Sequence, residues 1–223
     1  MHIDAREWGD KAIDLAERLG ETEVLVAAIG NVGTVELAHG LDEGREKLER
    51  SLALALDAGL ERHAAVDYCN LVASSHDIRD YDVMVTYIAE GRAYCDQHDL
   101  LAWDIYLGGW EAHVALDHGR WAESTALARE NVERTHGTLP HSRFRSLIVA
   151  GVLHARRGDS DPWPELDEAL AIAVAANELD TLGPIAVARA EARWLAGEDR
   201  LVTDESDATL ARAERTDHRW LVG

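Results

Sequence analysis

The chain has 223 residues, and 42 acidic side chains outnumber 22 lysines and arginines to give a formal net charge of −20. Such a surface repels phosphate backbones and anionic lipid headgroups, which argues against direct binding to nucleic acids or membranes. Apolar residues make up 47% of the sequence, enough for a buried core and too many for an intrinsically disordered chain. The 17 glycines and 4 prolines are few, which favours helices over a turn-rich β fold.

The lengths of the apolar runs, the N-terminal residues and the number of cysteines together indicate a cytoplasmic protein. No stretch approaches the roughly 18 to 20 consecutive apolar residues of a membrane span, and the first residues lack the basic-then-apolar pattern of a signal peptide. The two cysteines, Cys69 and Cys95, are too few for a disulfide framework. We therefore expect a cytoplasmic protein with two reduced, buried thiols.

Apolar residues recur at helical spacing from the first helix onward, and glycines follow the helical runs, where a positive φ closes the last turn. These glycines are Gly20, Gly40, Gly59, Gly119, Gly137, Gly158 and Gly197. Asp161 is predicted to cap a helix whose first turn holds Pro162 and Pro164. The pattern predicts a leading helix at about 4–19 and then five pairs: 21–39 with 42–58, 61–76 with 80–97, 100–118 with 120–136, 142–157 with 162–177, and 181–196 with 204–216.

The helix pairs form an internal repeat. Small or compact residues mark the middle of each first helix at spacings of 39, 40, 39 and 39: Gly33, Val72, Ala112, Gly151 and Ala190. This period predicts an all-α fold, a right-handed α-solenoid of about five helical hairpins, with residues 1–223 as a single repeat domain. The tail from His218 to Gly223 is similar to the opening turn of another first helix. We expect a fragment of a longer array, or else a short protein whose ends pair with a second copy.

Several motifs resemble those of tetratricopeptide repeats. Asn31-Val32-Gly33 and Asn70-Leu71-Val72 match the centre of that family's first helix. The segment from Gly119 to Ser124 matches its turn and second-helix start, with Ser124 where the family prefers alanine. The period of 39–40 residues exceeds the family's usual length of about 34, so the units would be lengthened, and HEAT-like repeats remain the alternative fold.

The chain also resembles the helical-repeat region of large actinobacterial LuxR-type regulators that carry an ATPase module. The segments that carry this resemblance are 16–21, Asn31-Val32-Gly33-Thr34, 48–55 and Trp194-Leu195-Ala196-Gly197. It implies a sensor or oligomerisation module, with nucleotide hydrolysis and DNA binding in other segments. The sequence contains no phosphate-loop motif, and its acidity disfavours a basic helix-turn-helix.

The sequence offers no pattern that predicts catalysis, so we expect no enzyme, no cofactor and no metal. None of the eleven histidines forms a His-Glu-x-x-His motif. His113 and His118 are about 140° apart on a helix and cannot chelate from one face. Four histidines are predicted near helix C-termini, where the last carbonyls attract a cation: His39, His98, His118 and His136. The acidic segment at Asp159 lacks the glycine of a calcium loop.

A candidate binding surface remains on the concave side of the array, which first helices line in tetratricopeptide proteins. Its predicted ligand-contacting residues are Asn31, Asn70, His76, Tyr106, Trp110, His113 and Arg145. A peptide or small amphipathic ligand could place a ring against Trp110 and an anionic group on Arg145. The alternative for Trp110 and Tyr106 is packing between helices. For Asn31 and Asn70, it is hydrogen bonding to a neighbouring helix.

Two functions follow from these patterns. The first is a protein-interaction or ligand-sensing module of a signal-responsive transcriptional regulator, without catalysis of its own. Its partner would be a protein, a peptide or a small ligand. The second is a free-standing scaffold that self-associates, for example as a homodimer through the ends of its repeats. Neither function has this segment contact nucleic acid or membrane.

Overall fold

The computed structural model describes residues 2–135 and 138–216, and within these ranges all eleven regular elements are α-helices. The predicted all-α fold is confirmed. The helices are α1 (His2–Leu19), α2 (Thr22–Ala38), α3 (Asp42–Asp57), α4 (Glu61–Asp77), α5 (Tyr81–Gln97), α6 (Leu101–Asp117), α7 (Trp121–Thr135), α8 (Pro140–Arg157), α9 (Trp163–Ala176), α10 (Leu179–Leu195) and α11 (Asp199–Thr216).

The chain divides into two compact units, Met1–Leu107 and Gly108–Gly223, and the boundary falls within α6, so the first part of that helix belongs to the first unit and the rest to the second. In the first unit consecutive helices pack on each other from α1 through α5, and α2 also packs on α4. In the second unit α7 to α11 pack in the same consecutive way, and α8 also packs on α10. Contact between neighbours and between first helices of successive hairpins is the packing expected of a helical-repeat array.

Helix ends agree with the glycine positions predicted from the sequence. Six of the predicted glycines have a positive φ: Gly20, Gly40, Gly59, Gly119, Gly158 and Gly197. The seventh, Gly137, lies outside the described residues, as does the predicted helical turn beyond His218. Arg79, Asp99 and Asn177 end helices in the same left-handed conformation without being glycine, and asparagine and aspartate tolerate it best.

The predicted helix ends agree with the structure to within about two residues except at the start of α11, and the predicted N-cap of α9 is also displaced. Helix α9 begins at Trp163 with Pro162 as its N-cap, so Asp161 lies one residue before the cap. Its side chain still accepts a hydrogen bond from the Trp163 backbone N–H at 3.2 Å. Helix α11 begins at Asp199 rather than near residue 204, because an acidic residue in the first turn is favourable at the positive end of the helix dipole.

Glycines let helices α2 and α3 approach backbone to backbone. A Cβ on Gly44 would lie 2.3 Å from the Leu37 backbone nitrogen and 2.7 Å from the Gly33 carbonyl oxygen. Neither atom can move without shifting a helix, so this contact depends on glycine at both positions.

Each unit buries its own apolar side chains. Leu48, Leu71 and Met84 are fully buried in the first unit. In the second, Phe144 and Leu147 of α8 pack with Leu166 of α9 and Ile185 of α10. None of the helices in the described ranges combines the length and the apolar character needed to cross a bilayer.

Candidate functional site

The second unit brings three of the predicted site residues together around paired glycines in α6. A Cβ on Gly108 would lie 2.7 Å from the Asn131 amide nitrogen of α7. A Cβ on Gly109 would lie 3.1 Å from Cβ of Arg145 in α8. The two glycines therefore allow both neighbouring helices to approach α6 closely. Asn131 Nδ2 donates to Ser146 Oγ at 3.2 Å and links α7 to α8.

Trp110, Arg145 and His113 form one stack on this framework. The Arg145 guanidinium lies 3.9 Å from the centre of the Trp110 ring, a close cation–π contact. The His113 ring meets the same indole edge-on at 5.7 Å. His113 Nε2 lies 3.8 Å from Asp117 Oδ2, one turn further along α6.

Burial decides what this stack can offer a ligand. The Trp110 side chain is only 3% exposed, so its indole is packed between helices. Arg145 and His113 are half-buried and reach the surface. A guanidinium that covers a ring still directs its N–H donors outward within its own plane, the geometry that suits a carboxylate or phosphate. The site thus fits an anionic group on Arg145 better than a ligand ring on Trp110.

Asn31 is exposed and lines a separate cleft of about 330 Å³ between α1 and α2. Arg6 and Glu36 border the same cleft. Glu36 is 2% exposed, and its carboxylate lies 3.0 Å from Nε of Arg6 and is ion-paired to Lys47. Two cations compensate this buried carboxylate, as burial of a charge requires.

The other three predicted residues lie on α4 and α6 of the first unit. Asn70 and His76 are half-buried on α4, and Tyr106 is half-buried on α6. His76 sits in the last turn of α4, where Nε2 accepts a hydrogen bond from Arg79 at 3.2 Å and Nδ1 lies 3.7 Å from Asp77.

The helix-end interpretation of the histidines is confirmed at the described positions. Nδ1 of His39 donates to the Val35 carbonyl at 2.6 Å, and Nδ1 of His118 donates to the Val114 carbonyl at 2.8 Å. His98 is the C-cap of α5. His136 lies outside the described residues.

Both cysteines are buried free thiols, as predicted. Burial raises the pKa of Cys69, and burial together with the Asp104 charge raises the pKa of Cys95 to about 11. A thiol reacts through its thiolate, so neither cysteine is suited to nucleophilic chemistry at neutral pH.

Sequence reasoning missed a buried carboxyl group in the first unit. Asp67 of α4 is 3% exposed, and a Cβ on Gly30 of α2 would lie 2.7 Å from its Oδ1. Burial raises the pKa of Asp67 to about 7, and a hydrogen bond with Ser51 of α3 offsets only part of this rise. The only sequence signal was one aspartate among small and apolar helical residues.

Comparison of the chain with protein-family models found no match, and comparison with curated proteins found none either.

Proposed function

We propose that this chain is a binding module without catalysis of its own, the sensor or assembly part of a cytoplasmic, signal-responsive transcriptional regulator. The Arg145–Trp110–His113 stack is the observation that carries the proposal. Arg145 is held against a buried indole at 3.9 Å while its own side chain reaches the surface. A cation fixed in this way has lost its conformational freedom before binding, which lowers the entropic cost of holding an anionic ligand.

The signalling step is a shift in the packing of the hairpins. Arg145 belongs to α8, which packs on α7, α9 and α10. A ligand on Arg145 that favours one arrangement of these helices would shift the population of that arrangement and change the surface offered to a partner. The proposal of a LuxR-type context rests on the resemblance of the repeats alone. The sequence flanking these residues in the gene tests it, since a phosphate loop upstream and a helix-turn-helix downstream are expected.

A thermal-shift screen with metabolites and short acidic peptides tests the site itself. Arg145→Gln is expected to abolish the shift caused by an anionic hit. Arg193→Gln is the matched control, because Arg193 makes the same 3.9 Å contact with the ring of Trp163 elsewhere in this unit. A ligand that still shifts the melting temperature of Arg145→Gln, or whose effect is lost equally in both variants, contradicts the assignment of the anion site to Arg145.

Self-association is the second candidate function, favoured by apolar side chains at the surface. Trp8 is 68% and Leu19 is 65% exposed on α1, and Trp194 is 63% exposed on α10. Large exposed apolar side chains are common at protein contacts. Light scattering over a dilution series tests this function: a scaffold is expected to dissociate on dilution and to weaken in Trp8→Ser or Trp194→Ser. A chain that is monomeric at every concentration excludes it.

A further inference from the structure

An aromatic row lies along helices α4 and α5 in the first unit. It consists of Tyr87, Tyr68, Tyr94 and His98. The Tyr68 ring lies 6.3 Å from the Tyr87 ring and 5.9 Å from the Tyr94 ring, and the Tyr94 ring lies 4.2 Å from the His98 ring. Tyr68 is buried, whereas the other three side chains are half-buried and reach the surface.

A glycine makes the aromatic row continuous. Gly91 lies between Tyr87 and Tyr94 on α5, and a Cβ there would be 3.0 Å from the Tyr68 ring and 2.8 Å from Leu107. Without a side chain at this position, Tyr68 of α4 can fill the space between the two α5 tyrosines. The buried residue between the two surface tyrosines is therefore an aromatic ring rather than an aliphatic side chain.

Carboxylates surround the aromatic row. The Tyr87 hydroxyl donates to Glu49 at 2.9 Å, and His98 Nδ1 lies 3.1 Å from Glu61. Glu90, exposed on α5, is close enough that its charge adds to burial in raising the pKa of Tyr68. Arg45 is close enough to Tyr87 for its charge to act on the hydroxyl, but it is already paired with Asp80 at 2.6 Å.

We propose that the aromatic row binds an arginine-bearing segment of a partner protein. Ring faces and carboxylates both attract cations, and here they occur together on one surface. Arginine fits better than lysine because its planar guanidinium stacks on a ring while its edge pairs with a carboxylate. This inference goes beyond the proposed function, since it assigns a second binding surface with the opposite charge preference.

The dimensions of the aromatic row favour a peptide over a compact ammonium ion. Tyr87 and His98 are separated by about 16 Å along α5, at about 1.5 Å per residue. That length accommodates two guanidinium groups one or two helical turns apart. The net charge of −20 also favours a cationic partner by steering its approach.

The test uses the whole chain and a short alanine-based helical peptide with two arginines one turn apart. Two matched peptides carry glutamine or lysine at the same positions. Isothermal titration at physiological salt is expected to show the tightest binding for the arginine peptide, weaker binding for lysine and none for glutamine. Equal binding of the glutamine peptide overturns the proposal, because the cation would then contribute nothing.

Variants separate the rings from general charge attraction. Tyr94→Leu is expected to weaken arginine-peptide binding about three- to tenfold, and Tyr94→Phe to preserve it, because phenylalanine keeps the ring. Glu90→Gln is expected to weaken binding more than Glu133→Gln does. Glu133 is an exposed glutamate of α7 and serves as the control. Trp194 is an exposed aromatic residue on α10, and Trp194→Leu is expected to have no effect on peptide binding.

Two outcomes overturn the proposal. The first is unchanged binding in Tyr94→Leu with a native circular dichroism spectrum. The second is equal weakening by Glu90→Gln and Glu133→Gln, which would show diffuse attraction to an acidic chain. If Tyr94→Leu does not fold, Tyr87→Leu replaces it under the same criteria. Arg145→Gln is expected to leave peptide binding unchanged, which keeps this test independent of the proposed anion site.

Discussion

Asp67 places a carboxyl group where α2, α3 and α4 meet. Gly30 of α2 leaves room for its oxygen, and the Ser51 hydroxyl of α3 can direct its single proton either to this carboxyl or to the Val26 carbonyl, which lies 2.9 Å away. The second oxygen of this carboxyl is buried and has no hydrogen-bond partner among the residues that the structure describes. A group in this position is far more stable neutral than charged.

The pH dependence of folding tests this interpretation of Asp67. The pKa of Asp67 is about 7 in the folded state, against about 3.9 for an unperturbed aspartate. Between these values the folded chain binds more protons than the unfolded chain, so the free energy of unfolding falls as pH rises. Asp67→Asn removes this ionisation and is expected to be more stable than the wild type at pH 8, by on the order of a few kcal/mol.

Urea unfolding at several pH values between about 5.5 and 8, a range in which carboxylates with ordinary pKa values stay charged, provides the measurement. Asp96→Asn, a change of an exposed aspartate on α5, is the control and is expected to follow the wild type. Parallel pH profiles for wild type and Asp67→Asn would show that Asp67 does not titrate in this range.

At the scale of helices, α10 and α11 are joined by a network of ion pairs. Glu205 of α11 accepts from Arg189 at 2.6 Å and from Arg193 at 3.0 Å. Arg189 also pairs with Asp167 of α9 at 2.5 Å. Burial alone would raise the pKa of Glu205, but the two arginines outweigh it and hold the pKa below its usual value.

Glu205→Gln is expected to lower the free energy of unfolding by about 2 kcal/mol, because it leaves the buried Arg189 and the half-buried Arg193 without their shared carboxylate. Since the pKa of Glu205 is lowered, its contribution is present at neutral pH and is lost as pH falls below about 4.5. Hydrogen exchange of α11 is the direct measurement. Glu214→Gln, an exposed change in the same helix, should leave the exchange of α11 unaltered, and an equal effect of both variants would contradict the prediction.

The close contact between α2 and α3 leads to a second prediction about helix packing. Gly44→Ala is expected to cost about 2 kcal/mol or more, because the new methyl group would meet the Leu37 backbone and the Gly33 carbonyl. Gly59→Ala is the comparison. Gly59 has φ +65° with open space around it, so an alanine there would suffer only backbone strain, which costs about 1 kcal/mol of stability. Urea denaturation measures both, and a smaller loss in Gly44→Ala than in Gly59→Ala would argue against the close helix contact.

Most helix boundaries were predictable because local signals produce them. A glycine with positive φ or a change in apolar periodicity marks nearly every end, as at Gly119 and Gly158. The ends of α4 and α5 were predicted to within one residue, but the left-handed conformation of Arg79 and Asp99 was not, because no short-range preference forces these residues into it.

Site residues were predictable only in part. The repeat alignment placed Trp110, His113 and Arg145 on related helices, but it did not reveal that Arg145 covers the indole. The role of Gly91 in seating Tyr68 depends on contacts between helices, which periodicity does not encode.

For the whole molecule, charge is the property with the widest effect. An excess of 20 negative charges destabilises any compact state through self-repulsion, while surface pairs such as Arg50–Glu17 at 2.9 Å give little in return. Added sodium chloride is therefore expected to raise the urea midpoint, because screening weakens the repulsion more than it weakens the pairs. A midpoint that falls with salt would mean that the ion pairs dominate.

The scarcity of lysine gives chemists a direct way to observe these contacts. The sequence has only two lysine side chains, Lys11 on α1 and Lys47 on α3. Lys11 pairs with Glu7 at the surface, whereas Lys47 is held against the buried Glu36. An amine-acylating reagent should modify Lys11 quickly and Lys47 slowly, so the ratio of the two products reports how often α2 and α3 separate.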